Sequence, residues 1–155
     1  MTVLGRLLPA QIDNKHAGHP AALWLLGLFV ALKLLMSVNS LLNTEAVAVG
    51  ADGFPLDTFG PAAARAVLML FALLSLDQLV LGLVAVTALA RYRAMIPLVY
   101  LMLVAEHLAR RFIVSSYAVP RTGTSPIGWY VNLGLLALLI VGLVLSLIPR
   151  RREAA

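Results

Sequence analysis

Lys33, Asp77, Glu106 and His107 each lie inside a long apolar run. An ionised side chain in the middle of a membrane-length helix is costly, so such groups pair with one another, line a polar cavity or relay protons. Glu106 and His107 are chemically suited to exchange a proton. Lys33 can hold an anion, and Asp77 can set the charge state of a neighbouring cation. Arg110 follows Glu106 by four residues, with the acid N-terminal to the base, the favourable order for a helical ion pair. Arg forks suit carboxylates and phosphates, so Arg110, Arg111 and Arg121 are candidates for an outer anion or headgroup contact. Asn132 adds a polar side chain at the same outer level, as do Ser37, Ser40 and Asn39.

The elements that must position these groups are helices. The chain has 155 residues, 61% of them hydrophobic and 12% charged. A soluble domain carries about 25% charged residues, so the composition indicates an integral membrane protein. Four runs reach the roughly 20 apolar residues that span a bilayer, at about 21–42, 61–90, 94–114 and 127–148. Pro61 and Pro97 fall in first turns, where a missing N–H does no harm. The runs are continuously apolar rather than alternating, which argues against a β-barrel. The expected fold is an all-α four-helix transmembrane bundle spanning 21–148. A segment 1–20 would precede it, either lying on the membrane surface or hanging free, and a basic tail 149–155 would follow.

Charge placement predicts an orientation. Arg6, Lys15, Arg91, Arg93, Arg150, Arg151 and Arg152 flank one side, and the positive-inside rule puts that side and both termini in the cytoplasm. The segments Asn43–Gly60 and Ser115–Pro126 then face outward. The first is long for a bundle connection, and loops of that length are either unstructured or functional. The expected location is the inner membrane of a bacterial-type cell. The net charge of +5 resembles a nucleic-acid signature, but the cations cluster at the ends of apolar runs, so nucleic acid is not an expected partner.

A rise of about 1.5 Å per residue puts Lys33, Asp77 and Glu106 each roughly 18–20 Å above the inner ends of their helices. Three helices therefore deliver charge to one level, and Lys33, Asp77, Glu106 and Arg110 sum to zero. The set either glues the bundle as Lys33–Asp77 and Glu106–Arg110 pairs or lines a cavity that handles a ligand. Glue alone is weak, because polar contacts between membrane helices average about 0.6 kcal/mol. The leading expectation is a non-enzymatic membrane protein. It would use Lys33, Asp77, Glu106, His107, Arg110 and Asn132 to bind an anionic or amphipathic ligand, such as a lipid or quinone-like molecule, or a partner.

Two other classes stand beside it. One is an intramembrane enzyme with Glu106 or His107 as acid–base and Arg110 holding an anionic substrate. The other is a scaffold subunit of a larger membrane complex. The chain has no cysteine, which excludes disulfides and thiolate-held metal. No cofactor is expected: bis-His haem needs two axial nitrogens, and a single imidazole at His107 supplies them only if two copies pair. His16 and His19 lie in the tail and make two ligands at most. Gly27-xxx-Ala31, Ala62-xxx-Ala66 and Gly142-xxx-Ser146 are spacings that admit close helix approach, within the bundle or in a homo-oligomer. Trp129, Tyr130 and Tyr117 suit an aromatic belt at the membrane surface.

Overall fold

The structure is a computed structural model in which residues 3–117 and 127–149 are described. Six helices follow one another: α1 (Val3–Leu7), α2 (Ala21–Leu42), α3 (Thr44–Gly50), α4 (Pro61–Arg91), α5 (Ile96–Ser116) and α6 (Ile127–Leu147). Short 3-10 turns at Leu56–Thr58 and Arg93–Met95 lead into α4 and α5. Among the described residues no strand forms, and only an isolated bridge joins Gly18 to Pro149. Three helices, α2, α4 and α6, are long and apolar enough to cross a membrane. The protein is therefore an all-helical membrane protein.

Helix α2 is the centre of the assembly. Its buried positions Ala22, Leu26, Phe29, Val30, Lys33 and Ser37 fall on one helical stripe. It packs against α4 on one side and α6 on the other, and α6 in turn packs against α5. Helices α4 and α5 barely meet, which leaves a gap between them. A close approach joins α5 and α6. Tyr100 is fully buried, and its hydroxyl donates to the carbonyl of Ala22 at 2.6 Å. Its ring lies against Gly142, where an added Cβ would overlap the ring atoms. The small-residue spacing at Gly142-xxx-Ser146 thus serves contact inside the chain, and Ser146 is buried as well.

Helix α4 shows the polarity expected in lipid. Its buried residues are Ser75, Gln78, Gly82, Ala85 and Ala88, all small or polar. Its large apolar side chains, Met69, Leu70, Leu73, Leu76, Val80 and Leu83 among them, point outward. A water-soluble helix would reverse this arrangement. In a bilayer the small stripe lets backbones approach while the apolar residues meet lipid. Leu34 of α2 packs directly onto Gly82.

Two segments whose order the sequence leaves open are ordered. Within Asn43–Gly60, α3 forms directly after α2, with the Thr44 hydroxyl donating to Leu41 O at 3.2 Å. Gly53 at φ 69° then turns the chain back so that Phe54 N–H reaches Ala48 O at 3.0 Å. Ala48 is fully buried, because α3 packs on both α2 and α4. Residues 3–20 form a strap across the opposite end. Its ties are His19 N–H to Leu145 O at 3.0 Å, Ala94 N–H to Asp13 O at 3.1 Å and an Arg6 guanidinium bond to Leu147 O. The first and last of these bonds satisfy carbonyls that the C-terminus of α6 would otherwise leave free. The strap is thus docked on the helix ends and does not hang free.

Candidate functional site

Glu106 is the hub of the polar layer. It sits on α5, half-buried, facing the gap toward α4. Its Oε1 accepts from Arg110 one turn along, through Nε at 2.9 Å and also through Nη2. The same oxygen accepts from Gln78 Nε2 on α4 at 3.1 Å. Its Oε2 lies 2.8 Å from His107 Nδ1. That nitrogen also faces the Leu103 carbonyl at 3.1 Å, and one proton cannot serve both acceptors fully. A proton on Nδ1 leaves Nε2 as a bare acceptor. Among the described residues Glu106 Oε2 and His107 Nε2 are buried without an aligned hydrogen-bond partner. Phe29 of α2 holds the imidazole edge-on, with ring centroids 5.7 Å apart.

Lys33 is buried on α2, 7% exposed, and makes no ion pair within 4 Å among the described residues. Its electrostatic neighbours are Arg110, Glu106 and Asp52. Asp77 is not among them. It lies on the exposed face of α4, one residue from the buried Gln78. The expected Lys33–Asp77 pair is therefore absent. The reason is rotation: one residue along a helix turns a side chain by about 100°. The polar group that α4 turns inward is Gln78, which depth counting passed over. The signal that finds it is the heptad-like stripe Ser75, Gln78, Gly82, Ala85 of small and polar residues in an otherwise bulky run.

Beyond Glu106 the gap widens into a cavity of about 510 Å³. Its walls come from Phe71 and Leu74 of α4, Arg110 and Arg111 of α5, and Trp129 and Asn132 of α6, with Asp52 and Phe54 closing one side. Arg111 lies over the Trp129 ring at 5.1 Å, a cation–π contact. Asn132 is half-buried and donates to Gly128 O at 2.8 Å. Gly128 also closes this end, accepting no Cβ because Asp52 and Ala51 press against it. Arg121 lies outside the described residues. Among those described, no group of three or more His, Asp or Glu side chains could hold a metal.

With Asp77 outside, the charge balance changes. The buried and cavity-lining groups are Lys33, Arg110 and Arg111 against Glu106 and Asp52, three cations and two acids. Among the described residues this set thus carries an excess positive charge next to an apolar wall. No protein-family model matches the chain, and no curated protein or solved structure matches it.

Proposed function

We propose that the protein is a non-enzymatic, four-span inner-membrane protein that binds an anionic amphiphile in the chamber between α4, α5 and α6. The observation that carries this reading is the cation excess: Lys33 is buried with no acid within 4 Å among the described residues, and Arg111 adds a further cation at the wall. Buried charge is retained when it is paired. An anionic headgroup entering beside Arg110 and Arg111 would supply the missing acid. Its chain would lie along Phe71 and Leu74 in the gap that α4 and α5 leave open toward lipid.

Helix α5 is the fourth span in this reading. It has the length but carries Glu106, Arg110 and Arg111. Those charges turn inward, while Leu101, Met102, Leu108, Phe112 and Ile113 make a continuous apolar outer face. That division suits a helix facing lipid on one side and a polar chamber on the other. The strap end, with Arg6, Lys15, Arg91 and Arg93, is then cytoplasmic, and the chamber opens toward the outer side.

Native mass spectrometry of gently extracted protein tests this reading. The expected result is one acidic lipid or quinone-like molecule retained per chain and lost in Lys33→Met and Arg111→Gln. Release of bare chains, together with no binding of phosphatidylglycerol in nanodiscs, would overturn it. Asp77 favours a second reading, a subunit of a larger membrane complex, since a carboxylate on a lipid-facing helix wants a basic partner from another chain. Native spectra showing stoichiometric partner chains, lost on Asp77→Asn, would select that reading.

A further inference from the structure

The strap encloses a second chamber at the opposite end of the molecule. It measures about 320 Å³ and is lined by Arg6, Asp13, Lys15, His16, Ala94 and Ser146, among others. Its polar groups can be followed one by one. Ser146 Oγ donates to Leu143 O at 2.7 Å, so it is satisfied within α6. Asp13 is engaged by Lys15, whose backbone N–H donates to Oδ1 at 3.0 Å and whose Nζ stands 4.0 Å from Oδ2. His16 Nε2 lies 3.3 Å from the carbonyl of His19. Arg93, beside His16, donates through Nε to Leu89 O at 3.0 Å.

Arg6 is the exception. One terminal nitrogen, Nη1, donates to Leu147 O at the end of α6. No acid lies within ion-pair distance of it among the described residues. Its Nε is buried and has no hydrogen-bond partner. A guanidinium bound through Nη1 keeps its other edge, Nε with Nη2, free. That edge presents two parallel N–H groups, the fork that grips two oxygens of one oxyanion. A buried N–H without an acceptor is costly, and the one acid lining the chamber among the described residues, Asp13, stands with Lys15 and not with Arg6.

We propose that this chamber is an oxyanion site for a phosphate-type group, held side-on by Arg6 Nε and Nη2, with Lys15 adding charge at the rim. The phosphate is either that of an acidic lipid in the adjacent leaflet or free inorganic phosphate. Because Arg6 also ties the strap to α6, occupancy would tighten the strap on the helix ends. The site is separate from the chamber beside Glu106, and it stands whether or not that chamber binds an amphiphile.

The test uses the full chain in nanodiscs at constant ionic strength, with two probes. One arm titrates inorganic phosphate into zwitterionic nanodiscs; the other replaces part of the bilayer with phosphatidylglycerol. The readout is the thermal midpoint, together with the distance between spin labels on Ala17 and Ile148. A rise in midpoint and a narrowed label distance in the first arm assign free phosphate; in the second arm alone, lipid phosphate. In either case Arg6→Gln and Arg6→Lys should weaken binding by roughly tenfold or more, since neither keeps the fork. Lys15→Gln, at an exposed rim position, should weaken it by only about two- to threefold. Arg111→Gln should leave the effect intact, which separates this site from the outer one. No response in either arm, or a response that Lys15→Gln and Arg6→Lys both leave unchanged, overturns the proposal.

Discussion

Gln78 Nε2 donates to Glu106 Oε1 across 3.1 Å, and this bond bridges α4 and α5 where the two helices otherwise stand apart. Glu106 keeps its Arg110 bonds without it. Gln78→Leu should therefore cost only about 0.5–1.5 kcal/mol of stability. Glu106→Ala should cost more, about 1–3 kcal/mol, because it strips Arg110 and Gln78 of their acceptor together. Thermal or denaturant unfolding in detergent measures both. A double-mutant cycle between the two positions should show coupling of at least about 0.5 kcal/mol.

How much of this arrangement is legible in sequence depends on the coordinate in question. Composition and run length give an all-helical membrane chain, because length and apolarity are one-dimensional properties. The i,i+4 relation of Glu106 and Arg110 is equally readable, since both lie on one helix. Rotation is not, which is why Asp77 reads as an interior partner of Lys33 while Gln78, one residue on, occupies that interior face. The strap escapes the sequence for another reason. Its partners are backbone carbonyls at Leu145 and Leu147, which have no side-chain signature.

Lys33 and Asp77 should behave as independent sites. Replacing Lys33 by Met and Asp77 by Asn, singly and together, should give additive changes within about 0.3–0.5 kcal/mol. Asp77→Leu should leave stability unchanged or raise it if α4 faces lipid. A charge on that surface costs about 2.5–3.5 kcal/mol on membrane insertion scales. A marked loss of stability on Asp77→Leu in purified monomer would show that Asp77 has an interior partner after all.

Gly142→Ala should destabilise by about 1–3 kcal/mol, the usual range for overpacking a filled contact. The added methyl would meet the Tyr100 ring, which is anchored by its bond to Ala22. Tyr100→Leu in the same chain should recover part of the loss by vacating the ring's space. If Gly142→Ala is silent and the double change is simply additive, α5 and α6 do not meet there.

Strap docking should weaken in acid. Burial, the largest cause, holds His16 below its ordinary value of 6.5, and the positive charge of Arg93 adds to the effect; carbonyl contacts at His19 and Arg93 pull the other way. The docked strap thus favours neutral His16, whereas a released strap takes up a proton at the ordinary value. Docking is complete above pH 6.5 and is lost progressively as pH falls below it. Spin labels on Ala17 and Ile148 should report distances that broaden as pH drops from neutral toward 5, and His16→Gln should flatten that response.

The strap also fixes an order of events during synthesis. Residues 3–20 are made before α2, yet their anchors at Leu145, Leu147 and Pro149 lie at or just beyond the end of α6. That segment must wait while four intervening helices, α2 to α5, emerge and fold. The strap can then close only in a chain whose α6 has reached its place. A ribosome stalled before that point would leave Arg6 and His16 in water, so access to those two residues marks the unfinished protein.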